Sequence, residues 1–149
     1  MRKILCINTG PKRMDRVFLD TNVVVDFLCE RGEFYLPAAT IVTKAFYSEI
    51  DLCCSSLTFA TASYLMGRSK MGTAVIFKKI AQFCSLCTPT TVDQKTIELA
   101  LHSGFSDFED ALQYFSALHH GAEVIITRNK EDFSESKILC LTPIEFLSV

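Results

Sequence analysis

Short runs of consecutive apolar residues alternate along this chain with longer segments of helical spacing. "RVFL" (16–19), "LCCSS" (52–56), "AEVIITR" (122–128) and "KILCL" (137–141) read as strands, and "CTPTT" (87–91) as a short extended piece. Between them fall segments predicted as helices. "TNVVVDFLCE" (21–30) has Thr21 in a capping position, and "RGE" breaks it. "LPAATIVTKAFYSEI" (36–50) carries Pro37 where a first turn tolerates it. "LTFATASYLMGRS" (57–69) should end near Gly67, and "MGTAVIFKKIAQFCSLC" (71–87) follows. In "TVDQKTIELALHSGF" (91–105), Thr91 and Gln94 suit a capping box and Gly104 a stop. "SDFEDALQYFSALHHG" (106–121) and "TPIEFLSV" (142–149) complete the helices.

Strands separated by helical segments predict an α/β fold with a mostly parallel sheet. Ligands of such sheets bind beyond the carboxyl ends of the strands. The residues that follow each strand are therefore the ones to read for chemistry.

Asp20 follows the first strand directly. "TRNKEDF" (127–133) follows the fourth and offers Asn129 and Asp132. Asp107 and Asp110 begin a helix expected to start on the same side. Oxygen ligands converging from distant parts of the chain suit a hard cation such as Mg²⁺ or Mn²⁺. Such ions can activate a water and steady the leaving oxygen of a phosphodiester. Each acid also has an ordinary structural use. Asp20 can cap the next helix, and Asp132 can shape a turn. Ser106 with Glu109 reads as a capping box, and Asp107 in the first turn complements the helix dipole. Asp110 is explained less well by capping. Because it stands three residues after Asp107, the two are expected to share a face, with Glu109 turned elsewhere.

Composition narrows the picture further. The 149 residues suit one domain, and 49% of them are hydrophobic. Mean hydropathy is +0.25, high for a monomer in water, which fits burial of some surface by a partner such as a second copy. "VVVDFL" and "AATIVTKAFY" are the candidate dimer faces. No apolar stretch has the length of a membrane span, and the N-terminus makes a poor signal peptide, so a soluble cytoplasmic protein is expected. Seven cysteines sit mostly in apolar runs, as small buried hydrophobes do in a reducing compartment. Cys84 and Cys87 form a C-x-x-C that closes a helix instead of opening one, and only three histidines accompany it, so zinc is weakly supported. Net charge is −2. Nucleic-acid binding would therefore rest on local cations and metal ions rather than on bulk charge.

Taken together, "VFLDTNVVVDFL", "SSLTFATASYL", "DFEDALQYFSALHHGAEVIITRNKEDF" and "ILCLTPIEFL" resemble the PIN domain family of metal-dependent nucleases. The resemblance runs from Met14 to the end. It implies a three-layer α/β/α domain over 14–149, with residues 1–13 an N-terminal extension outside the core. Many members are toxins of bacterial toxin–antitoxin pairs, called VapC-type, which cut RNA and are restrained by a small antitoxin. Asp20 matches the first acid of the family, Asp110 the acid of its D-A-L motif, and Thr127 with Arg128 its T-R. Two positions depart from the pattern. Thr61 stands where the family has its second acid, a glutamate, and Asn129 stands where an acid usually follows T-R.

The resemblance thus implies a Mg²⁺- or Mn²⁺-dependent ribonuclease with Asp20, Asp110 and Asp107 as catalytic acids. Asp132 and the carbonyl of Asn129 would join them as ligands, with Asn22, Thr61 and Thr127 in support. Arg128, Lys130 and Arg68 are the candidate contacts to RNA phosphates. The charge lost at positions 61 and 129 keeps open a catalytically weak or inactive module that binds RNA or protein. An aspartyl phosphatase is a remoter alternative, since Asn22 stands where such enzymes carry a second aspartate.

Overall fold

The computed structural model describes residues 16–149; the expected extension over 1–13 lies outside them. Thirteen elements follow one another. They are β1 (Arg16–Leu19), α1 (Thr21–Leu28), α2 (Gly32–Phe46), β2 (Asp51–Ser55), α3 (Ser56–Arg68), α4 (Thr73–Cys84), β3 (Cys87–Thr90), α5 (Gln94–Leu101), α6 (Phe108–His119), β4 (Val124–Ile126), a 3₁₀ turn (Lys130–Phe133), β5 (Leu139–Leu141) and α7 (Pro143–Leu147). The sheet order is β3-β2-β1-β4-β5, and each neighbouring pair is parallel. Leu19 at the end of β1 lies level with Cys54 on one side and Ile126 on the other. The three central strands therefore end together.

Alternation along the strands makes the layers. Val17, Leu19, Leu52, Cys54, Val124 and Ile126 face a core closed by α1 to α4 and α7. Phe18, Cys53 and Ile125 face the other way, onto Tyr114 and Ala117 of α6 and Phe133 of the 3₁₀ turn. Helices cover both faces, which is why Val17–Leu19, Leu52–Cys54 and Val124–Ile126 are runs of consecutive apolar residues. The expected three-layer α/β architecture is thus present.

Local details differ from the sequence reading for identifiable reasons. α2 starts at Gly32 instead of Leu36, so Pro37 lies inside the helix. Tyr35 stacks on Phe27 of α1 with ring centroids 6.2 Å apart, a contact that holds the turn ahead of the proline. Ser48, at φ +57°, ends the same helix early, with its N–H on the Ala45 carbonyl. The capping box of α5 is Asp93 with Thr96, two residues after the expected start. The cap of α6 is Asp107, whose backbone is still extended, so Ser106 lies outside the helix. α1 offers no dimer face: Val23, Val24, Val25 and Leu28 are all in the core. The exposed apolar residues lie elsewhere, among them Leu36, Phe46 and Tyr47 of α2 and its C-cap, and Phe77 of α4.

Candidate active site

Asp20 is fixed by the junction it occupies. Its backbone N–H donates to the Ile126 carbonyl at 2.9 Å, continuing the β1–β4 ladder by one residue. Its side chain then caps α1, with Oδ1 accepting from the Thr21 N–H at 2.7 Å. Only 5% of the residue is exposed. Two more donors reach it from distant segments. Gln113 Nε2 on α6 donates to Oδ1 at 2.6 Å, and the Thr127 hydroxyl donates to Oδ2 at 2.8 Å. Burial pushes the Asp20 carboxyl up from the usual carboxylate range, the three donors oppose that, and the Asp132 charge adds to it.

Thr127 is itself positioned. Fully buried after β4, its oxygen accepts from the Asn129 N–H at 3.0 Å and from Asn22 Nδ2 at 3.4 Å. The Asn22 carbonyl in turn accepts from the Arg128 N–H at 3.4 Å. Asn22 and Thr127 thus form a small network that sets the loop after β4 against Asp20.

α6 begins at the same edge. Asp107 Oδ1 accepts from the Asp110 N–H at 3.1 Å, so Asp107 is the cap and Asp110 the third helical residue. The carboxyl of Asp110 is pushed up to about 7, first by burial and then by the charges of Asp20, Asp107, Asp132 and Glu109. Glu109 is raised as well, by burial, Asp20 and Asp107. Its expected capping role is therefore absent: Asp107 makes the cap, and Glu109 adds to the acidic group. Among the described residues, none of these five carboxylates is paired with a cation. Asp132 and Asn129 lie exposed at the rim, in and just before the 3₁₀ turn.

The expected cations are placed unevenly. Arg128 Nε stands 2.7 Å from Oδ2 of Asp26, off the hydrogen-bond axis, and Nη2 lies 3.3 Å from Oδ1. Asp26 is 1% exposed, and the guanidinium also lies 4.1 Å over the Phe34 ring. Arg128 is therefore engaged by the fold. Lys130 is more open and pairs with Glu145 at 2.8 Å. Arg68 ends α3, about 18 Å along the helix from the edge where that helix starts. It is not brought to the acids. Thr61 is half-buried in the second turn of α3, while Thr58 of that helix bonds Thr21 at 2.9 Å.

Sequence reasoning missed Gln113, which spans 93 positions to reach Asp20. One signal pointed to it: Gln113 is three residues after Asp110, on an otherwise apolar helix face. The donors assembled here are oxygens, the kind hard divalent cations take. Their unbalanced charge fits such an ion. The described residues include no group of three His, Cys, Asp or Glu side chains placed to hold a metal, so the acids fit in chemistry and charge without forming a closed cage.

A PIN domain family model matches residues 16–131, which contain Asp20, Asp107, Glu109 and Asp110 and stop one residue short of Asp132. The chain belongs to the PIN domain family. It is similar to Ribonuclease VapC1 of Aquifex aeolicus (strain VF5), with 27% identity over 137 residues, 89% of this chain and 93% of the relative. Three solved structures share the fold. The VapBC2 complex of Rickettsia felis bound to a promoter DNA fragment superimposes with a TM-score of 0.63 at 18% identity, over 85% of this chain and 98% of that one. VapBC-1 of nontypeable Haemophilus influenzae gives 0.61 at 14% identity, over 87% and 98%. FitAB bound to a DNA fragment gives 0.60 at 15%, over 85% and 94%. In this PIN domain the acidic edge around Asp20 lies at the carboxyl ends of β1 and β4, where the open-sheet rule places ligands. No described helix is long and apolar enough to cross a membrane.

Proposed function

We propose that this PIN domain is a Mg²⁺- or Mn²⁺-dependent endoribonuclease, the toxin of a toxin–antitoxin pair. The observation that carries the reading is the group of carboxylates gathered around buried Asp20, none of which is paired with a cation among the described residues. Asp20 and Asp110 would hold the ion, with Asp107 and Asp132 as outer carboxylates and the Asn129 carbonyl at the rim. A bound divalent ion supplies Lewis acidity toward a phosphodiester oxygen and lowers the pKa of water.

The chain's own residues do the remainder. Thr21, Thr127 and Gln113 keep Asp20 oriented and favour its ionised form. Asp110 holds a proton on its carboxyl near neutral pH and gives it up when a cation arrives. Lys130 is the cation best placed to meet an RNA phosphate, while Arg128 holds Asp26 and the loop. Similarity to a ribonuclease and to toxin–antitoxin complexes supports both halves of the proposal. A small antitoxin would dock over the cavity of about 520 Å³ beside Asn129, walled by Phe34, Pro37, Pro143 and Ile144. The exposed apolar residues of α2 and α4 are proposed as a homodimer face, in a cytoplasmic protein. Cleavage of RNA by the purified protein in Mn²⁺, abolished by a chelator, is expected. Cleavage that survives chelation would exclude the metal-dependent mechanism.

A second reading is a PIN-fold module that binds RNA or protein without cutting. Thr61, Asn129 and the lack of a closed three-ligand group among the described residues favour it. Calorimetry separates the two: no Mn²⁺ uptake at millimolar metal supports the module.

A further inference from the structure

We infer that Gln113 is a positioning residue with two ends, one orienting Asp20 and the other giving the edge a neutral oxygen donor for its cation. This rests on the metal-dependent reading above. Gln113 is 2% exposed, one of the largest fully buried side chains in the protein. Its Nε2 donates to Asp20 Oδ1 at 2.6 Å, and its Oε1 has no hydrogen-bond partner. The orientation of the amide follows from its neighbour. An ionised carboxylate only accepts, so the donor end of the amide must face it. That leaves the carbonyl end unmet in a buried place, where polar atoms are rarely left without partners.

Position and chemistry point the unmet oxygen to the same site. The two ends of one amide are so close that Oε1 lies within about 5 Å of Asp20 Oδ1. Gln113 leaves α6 on the face of Asp110, one turn later. A carbonyl oxygen is a hard donor that divalent ions accept beside carboxylates. It is also uncharged. Five carboxylates already gather at this edge, and none is paired with a cation among the described residues. A neutral donor adds a ligand without adding to that charge, which suits a chain with threonine in place of the family's second acid. The plain structural alternative is a strut that ties α6 to β1 and leaves the cation untouched.

Mn²⁺ titration of three proteins separates these. Wild type, Gln113→Met and Gln113→Glu are compared by calorimetry, by circular dichroism and by melting with and without Mn²⁺. Gln113→Met should stay folded and lose roughly 10- to 100-fold in Mn²⁺ affinity, the usual loss when a metal site's supporting partner is removed. Gln113→Glu should bind Mn²⁺ at least as tightly as wild type while melting lower without it. Wild-type Mn²⁺ affinity in folded Gln113→Met overturns the inference. So does a Gln113→Glu protein that binds Mn²⁺ more weakly than wild type, which decides the matter if the methionine variant fails to fold. Absence of Mn²⁺ binding in wild type overturns it too. RNA cleavage by wild type judges the nuclease reading separately, since a chain that cuts RNA with an unaffected Gln113→Met affinity keeps that reading and loses this one.

Discussion

The Thr127 hydroxyl donates to Asp20 Oδ2 at 2.8 Å across 107 positions of sequence. The bond joins the turns after β1 and β4, and both groups are buried. Thr127→Val keeps the shape and removes the donor. It should cost about 1–3 kcal/mol, the range for leaving a buried acceptor unmet. The Asp20 carboxyl should also rise further, since one of the bonds opposing its upward shift is gone. Chemical denaturation measures the first effect, and Mn²⁺ affinity at pH 6 the second. A variant as stable as wild type would show the bond to be idle.

Asp110 makes stability depend on pH. Its folded carboxyl sits at about 7, above the usual aspartate value, so folding favours the protonated form. That contribution is complete below about pH 4 and is lost as pH rises through about 7. Metal-free protein should melt at a higher temperature at pH 6 than at pH 8. Asp110→Asn should flatten the difference and raise the melting temperature at pH 8. Mn²⁺ binding should run the opposite way, strengthening with pH as the proton is released. A melting temperature that rises from pH 6 to pH 8 in the metal-free protein would remove the acidic cluster from the account.

Asp107 has two roles that substitution can separate. Asparagine caps a helix about as well as aspartate, so Asp107→Asn should keep most of the stability and weaken Mn²⁺ binding. Asp107→Ala should also cost about 1 kcal/mol through the lost cap. Equal Mn²⁺ affinity in wild type and Asp107→Asn would leave this residue only its cap.

Arg128 should behave as a structural residue. Asp26 is 1% exposed, and Arg128 is its near partner, with Arg31 more distant at 4.0 Å. Arg128→Ala leaves a buried charge poorly compensated, at a cost on the order of 2–3 kcal/mol. The double variant with Asp26→Asn should recover most of that loss. Failure of the second substitution to restore stability would point instead to a role for Arg128 at the RNA.

The strands were legible because the middle of each central one, Val17–Leu19, Leu52–Cys54 and Val124–Ile126, is buried on both faces and reads as an apolar run. The place of Asp20 at the carboxyl edge of the sheet was legible because it follows the first apolar run directly. The caps of α5 and α6 were misplaced because neighbouring Ser, Thr and Asp residues cap equally well in sequence. Only the backbone shows where helical dihedrals begin. The start of α2 depends on a ring stack between Tyr35 and Phe27, and the role of Arg128 on a buried Asp26 in α1. Both are tertiary contacts. Gln113 was harder to read for the same reason: its spacing from Asp110 was visible, but its partner Asp20, just after β1, meets it only in the fold.

Single-turnover cleavage of RNA in Mn²⁺ by wild type and Asp20→Asn shows whether the buried Asp20 carboxylate takes part in the chemistry. Asp20 is the buried carboxylate on which β1, α6 and the loop after β4 converge. The substitution keeps its volume and removes its charge. A rate lower by roughly 100-fold or more is expected, the scale on which a preorganised electrostatic group contributes. Equal rates from the two proteins would contradict the account.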